Sequence, residues 1–151
     1  SAYQEMISLT TKLNKPGVTL SQLAGVHALT DVTGFGLAGH LLEMARGAKL
    51  SAKVDWDSIP VIEEAVGLVK EGIFTGASTR NWLGYGHEMS LGAHMSEWQK
   101  NLLSDPQTSG GLLVSCSPES TEQVLQILRA DGFSQAMKIG EFVEGAGVSV
   151  A

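Results

Sequence analysis

The sequence predicts an α+β fold: a mixed, largely antiparallel sheet with helices packed on it, built as one domain over residues 1–151. Two observations carry this expectation. Helical and strand periodicities follow one another as helix, strand, helix, strand, helix, short strands, helix, strand, helix, strand, strand, which is too irregular for a doubly wound sheet. Two glycine-rich stretches, at 30–41 and 104–111, border apolar runs and so fall at strand ends. With 43% apolar and 17% charged residues, the chain has enough material for one core.

In order along the chain, Tyr3, Met6, Ile7, Thr10 and Leu13 recur at the spacing of one helix face, and Asn14-Lys15-Pro16-Gly17 stops that helix. A sequence that opens directly on a helix looks cut from something longer. Leu20 to Leu29 leads into a central strand, on which His27 reads as a core or edge residue. Leu37, Leu41, Met44 and Ala45 mark the next helix, with Gly47 as its C′ residue. Alternation from Leu50 to Asp55 marks a half-buried strand.

Asp57-Ser58-Ile59-Pro60 reads as a cap and first-turn proline for a helix that buries Val61, Ala65, Leu68 and Val69 and ends at Gly72. Glu63 and Glu64 are adjacent, so they point about 100° apart and form a solvated face rather than an acid pair. Between 72 and 94 frequent glycines predict short strands and loops. His87 and His94 lack partners at a zinc-ligand interval, and Thr79-Arg80-Asn81 reads either as an anion-recognising loop or as loop polarity. Ser96 to Leu103 is a short helix packed through Trp98 and Leu102, and Leu112 to Cys116 a buried strand. Ser117-Pro118 starts a helix whose buried face is Thr121, Val124, Leu125 and Leu128. The runs 136–143 and 148–150, separated by Glu144-Gly145-Ala146-Gly147, suit an antiparallel hairpin.

The most informative stretch is Thr30-Asp31-Val32-Thr33-Gly34-Phe35-Gly36-Leu37-Ala38-Gly39-His40-Leu41. An apolar run delivers one carboxylate into a glycine turn, and a helix begins straight afterwards. Glycine admits close backbone approach, and the first N–H groups of a helix favour anionic oxygens. An acid beside bound phosphate calls for a cation between them, so Asp31 reads as a ligand for Mg²⁺. The alternative is that the glycines serve tight packing and Asp31 is a helix cap or turn residue. His40 either faces phosphate or has a packed or solvent-facing role.

Composition excludes several classes. Sixteen acids against ten scattered bases give a net charge of −6, which argues against nucleic-acid and anionic-membrane partners. No apolar run spans a bilayer and the opening residues lack a signal peptide. The lone Cys116 excludes an internal disulfide framework and fits a reducing, cytoplasmic setting; without an activating neighbour it reads as inert.

The stretch 31–41, together with Leu103-Ser104-Asp105-Pro106-Gln107-Thr108-Ser109-Gly110-Gly111-Leu112 and the closing Lys138-Ile139-Gly140, closely resembles the second half of the selenophosphate synthetase (selenide, water dikinase) family. The wider superfamily, which includes aminoimidazole ribonucleotide synthetase, shares the first motif but typically not the second. The resemblance implies an ATP-dependent enzyme that converts selenide, ATP and water into selenophosphate, AMP and phosphate, with Mg²⁺, as a homodimer. It implies that this chain is the C-terminal half only. The reactive cysteine or selenocysteine, its lysine and most ATP-binding and metal-binding aspartates would lie in an N-terminal half, leaving no catalytic residue here. Cys116 does not match the reactive position. Asp31 falls on a metal-binding aspartate of the family, and Thr33, Gly34, Gly36, Gly110 and Gly111 are the positions assigned to nucleotide contact. A purine-pathway synthetase domain and a non-catalytic binding or dimerising module are the competing readings.

Overall fold

A computed structural model describes residues 2–151, with side chains from residue 3. Seven helices alternate with six strands among these residues: α1 (Ala2–Thr10), α2 (Pro16–Leu20), β1 (Val26–Asp31), α3 (Gly36–Ala48), β2 (Ser51–Val54), α4 (Glu63–Lys70), α5 (Gly76–Tyr85), β3 (Met89–Leu91), α6 (Glu97–Leu103), β4 (Leu112–Cys116), α7 (Thr121–Ala130), β5 (Gly140–Val143) and β6 (Val148–Val150). The mixed α+β character agrees with the sequence reading. Its sheet, however, is two sheets. β1 pairs antiparallel with β4 alone, so it is not a central strand, and the other four strands run in the order β3-β6-β2-β5. Described pairings are evenly divided: β1–β4 and β2–β5 antiparallel, β2–β6 and β3–β6 parallel.

The expected β5–β6 hairpin does not form. β2 lies between the two strands, and residues 144–147 cross its end, where Ala52 N–H donates to the Gly147 carbonyl at 3.0 Å. A four-residue link suits a hairpin, but here β2 supplies hydrogen-bond partners on both of its edges, and Ala52 and Val54 are buried between them.

The main core is α3 against this sheet. Ala38, Leu41 and Leu42 pack with Ala52, Val54, Val148 and Val150, and each fully buried leucine contributes about 1.5–3 kcal/mol of apolar transfer. A second cluster, Leu20 with Val124 and Leu128, joins α2 and α7 to one face of β1 and β4.

Several local expectations need correction. Pro16 opens α2 rather than serving only as a stop, because its fixed φ suits a first helical turn. α3 runs past Gly47 and closes at Lys49, which takes the left-handed conformation (φ 57°). α4 begins at Glu63 after an extended Ile62, with a single 3₁₀ turn over Trp56–Ser58 before it, and Val61 and Leu68 are exposed. The glycine-rich interval 72–94 holds the ten-residue helix α5. On α1 none of the described side chains is buried, since Tyr3, Met6, Ile7 and Leu9 meet no covering element.

Candidate functional site

The two glycine stretches meet at the Asp31 end of the β1–β4 pair. Asp31 is opposite Leu112, and Val32 N–H donates to the Gly111 carbonyl at 2.9 Å. One step on, the Thr33 carbonyl accepts from Gln107 N–H at 2.9 Å and from Gly36 N–H at 3.1 Å. The Thr33 hydroxyl lies 3.1 Å from His40 Nε2. The Gly34 carbonyl accepts from the Asn81 amide at 2.8 Å, and the Phe35 carbonyl from the Tyr85 hydroxyl at 2.6 Å. Each residue from 32 to 35 is thus held by a different group, and the Asp31 side chain extends from the last position before this braced corner.

Asp31 is exposed, and its carboxylate engages no hydrogen bond or ion pair among the described residues. It is not the cap of α3: Phe35 occupies that position, without a side-chain cap. Among the described residues no three His, Cys, Asp or Glu side chains converge on one point. A free carboxylate on a rigid strand end fits Mg²⁺ as one ligand of several, because that ion usually takes one or two carboxylates and fills its octahedron with waters and phosphate oxygens.

The glycines divide into two kinds. Gly36 has φ +69° and packs under the second loop, where an added Cβ would sit 2.8 Å from the Leu103 and Asp105 carbonyl oxygens. At Gly110 an added Cβ would be 1.9 Å from the Val32 carbonyl oxygen. Those two positions need glycine for loop-to-loop contact. Gly34 and Gly111 are exposed, and a Cβ at either would meet nothing within 4 Å. Nothing within the chain demands glycine there.

His40 is buried, with Nε2 toward Thr33 and Nδ1 2.9 Å from a Glu43 carboxylate oxygen but out of alignment for a hydrogen bond. It braces the corner rather than facing solvent, and His27 is exposed on β1. Sequence reading missed α5, which carries Asn81 and Tyr85 one helical turn apart onto the corner. Thr79-Arg80-Asn81 is therefore helix, not loop. At the start of the same helix the Thr75 and Ser78 hydroxyls donate to Asp105 Oδ1 at 3.2 and 3.1 Å, so α5 grips both loops. Burial pushes the Tyr85 hydroxyl up to about 12, with the Gly39 backbone N–H pulling the other way, so the phenol stays a neutral donor. The signal available in the sequence was a polar series at helical spacing, Thr75, Ser78, Asn81 and Tyr85.

Cys116 is half-buried on β4, its Sγ 3.9 Å from the Thr121 hydroxyl, and far along the strand pair from Asp31. Cys116→Ser is expected to cost about 1 kcal/mol or less, since Thr121 offers the new hydroxyl a partner. Thermal melting checks this, and a loss well beyond about 1 kcal/mol would show that Thr121 does not take up the new hydroxyl.

Fold and site together define an α+β domain that displays one free carboxylate beside two interlocked glycine loops. The chain matches the family described as AIR synthase related protein, C-terminal domain, over residues 8–151, and it belongs to that family. It is 56% identical over 147 residues to a selenide, water dikinase of Paraburkholderia xenovorans, covering 97% of this chain and 42% of that protein. It is 47% identical over 144 residues to one from Rhizobium meliloti, covering 95% and 41%. The chain thus spans about two fifths of the length of these curated relatives. Among solved structures, Escherichia coli HypE, a hydrogenase maturation protein, has the same fold, with a TM-score of 0.65 at 21% identity over 91% of this chain and 35% of that one. No helix among the described residues is long and apolar enough to cross a membrane.

Proposed function

We propose that the chain is the C-terminal domain of an ATP-dependent enzyme that makes selenophosphate from selenide, ATP and water and releases AMP and phosphate, acting as a cytoplasmic homodimer with Mg²⁺. The observation that carries this reading is the 56% identity, over nearly the whole chain, to a relative named selenide, water dikinase. Asp31 would be one Mg²⁺ ligand, and the exposed backbone at Gly34 and Gly111, with half-buried Thr33 beside them, would border the nucleotide. Gly36 and Gly110 would act indirectly, by letting the loops interlock. Bound Mg²⁺ supplies charge neutralisation for phosphoryl transfer, a reaction that is mostly positioning and electrostatics. The chain's own part is to hold the Asp31 carboxylate at a fixed point.

Phosphorus NMR of the full-length protein tests the reading. AMP and orthophosphate should form from ATP only when selenide is present. Formation of ADP without selenide dependence, as in a purine-pathway synthetase, would overturn it. The 151-residue chain alone is expected to give no selenide-dependent AMP, because phosphate cradle and reactive residues must be held together; AMP formation by the chain alone would remove the need for a second half.

A further inference from the structure

The geometry points to Asn81 as a positioning residue for the Asp31 corner, acting by tying the two glycine loops together; this rests on the reading of Asp31 as a metal ligand. Its amide nitrogen donates to the Gly34 carbonyl at 2.8 Å and to the Ser104 carbonyl at 3.0 Å. Those carbonyls belong to different loops. A primary amide has two N–H groups on one nitrogen, so a single side chain meets both. Aspartate has the same shape and no donor, and serine is shorter with one donor.

The other bonds around the corner do not duplicate this link. Gln107 joins the loops through backbone, one residue back at Thr33, and Tyr85 donates to Phe35, within the first glycine stretch alone. Asp105 is held by Thr75 and Ser78, which do not touch the first loop. Asn81 is thus the side chain through which α5 sets the spacing between the turn that follows Asp31 and the start of the second loop. Because Gly34 is exposed, its carbonyl can turn to water when the amide is removed. The carbonyl of the buried Ser104 loses its partner as well, so some stability should fall while the fold survives and the corner loosens.

The test uses the full-length enzyme in five forms: wild type, Asn81→Ala, Asn81→Ser, Asp31→Asn, and Asn81→Ala with Asp31→Asn. Mn²⁺ binding in the presence of ATP is followed by electron paramagnetic resonance, and amide hydrogen exchange is followed at Gln107. Asn81→Ala and Asn81→Ser should weaken Mn²⁺ about tenfold, as expected for a displaced ligand. Exchange at Gln107 should quicken while the amides of β2 stay protected. In the Asp31→Asn background the alanine change should add less than about twofold, because coupled residues are not additive.

Asp31→Asn weakening Mn²⁺ while both Asn81 variants bind normally would overturn the inference and leave the metal reading intact. Undiminished effects in the double variant would overturn it too, as would failure of both Asn81 variants to fold, which would make the residue a fold determinant. Unchanged Mn²⁺ binding in Asp31→Asn would remove the metal reading itself, and with it this role for Asn81.

Discussion

Asp31→Asn in the full-length protein is expected, on the proposed reading, to weaken Mg²⁺ binding and to lower turnover on the order of 10²-fold or more, with no accompanying loss of stability. The substitution keeps the side chain's size and removes the charge that would hold a hard cation at about 2.0–2.1 Å. Single electrostatic groups at other active sites contribute rate factors of this order. Asp31 caps no helix and engages no partner among the described residues, so its replacement should leave stability within about 0.5 kcal/mol. Titrating Mg²⁺ against ATP consumption and melting both forms separates the outcomes. A fallen melting temperature with an unchanged Mg²⁺ requirement would make Asp31 a structural residue.

The second large effect is expected at Gly110, and its neighbour is the control. Gly110→Ala places a methyl 1.9 Å from the Val32 carbonyl oxygen, with the Gln107 side-chain oxygen at 2.9 Å. The obstacle is backbone, one residue from Asp31, and it can yield only if the seam between β1 and the second loop opens. A loss on the order of 3 kcal/mol or more, or failure to fold, is expected. Gly111→Ala meets nothing and needs no unusual φ, so it should be neutral or stabilise by about 0.4–1 kcal/mol through the unfolded chain. Denaturation of the two variants side by side checks this, and equal stabilities would refute the seam. If Gly111→Ala in the full-length enzyme keeps its melting temperature and raises the KM for ATP, the open glycine is a nucleotide contact.

The Asp31 corner and its partner loop were legible because their information is local. A carboxylate, three glycines and a helical pattern stand within eleven positions, and 104–111 repeats the chemistry. That the loops touch was not legible, since Gly110 meets Val32 only after β1 and β4 have paired. α5 was hidden for a different reason. Gly84 lowers helix propensity by about 1 kcal/mol relative to alanine, Gly76 and Gly86 at the two ends read as breakers, and Leu83 is 78% exposed, so the usual apolar stripe is weak. The helix is held by polar bonds to two distant loops, which a local periodicity does not report. The misread β5–β6 hairpin has the same origin: its spacing fits a turn, and only the tertiary placement of β2 separates the strands. β2 and the buried faces of α3 and α7 were read correctly because each has a pattern of its own, whereas α3 ends beyond Gly47 and Ser117-Pro118 opens a 3₁₀ turn, with α7 beginning only at Thr121.

The sheet order β3-β6-β2-β5 has a consequence for how the protein is made. β6 follows all the other described strands in the chain, yet it sits inside the sheet and is, among the described residues, the hydrogen-bonded link between β2 and β3. While the chain is still emerging from the ribosome, β2 has neither of its neighbours, and the apolar face of α3 has no finished surface to cover. The β1–β4 pair, with α2 and α7, can be completed by residue 130, well before residue 150 is available. Two strand edges therefore remain open until β6 is available, in a domain whose closure waits on three residues. A chain truncated after residue 145 should be protected from protease around β1 and β4 and digestible around β2 and β3, whereas one that includes β6 should be protected at both.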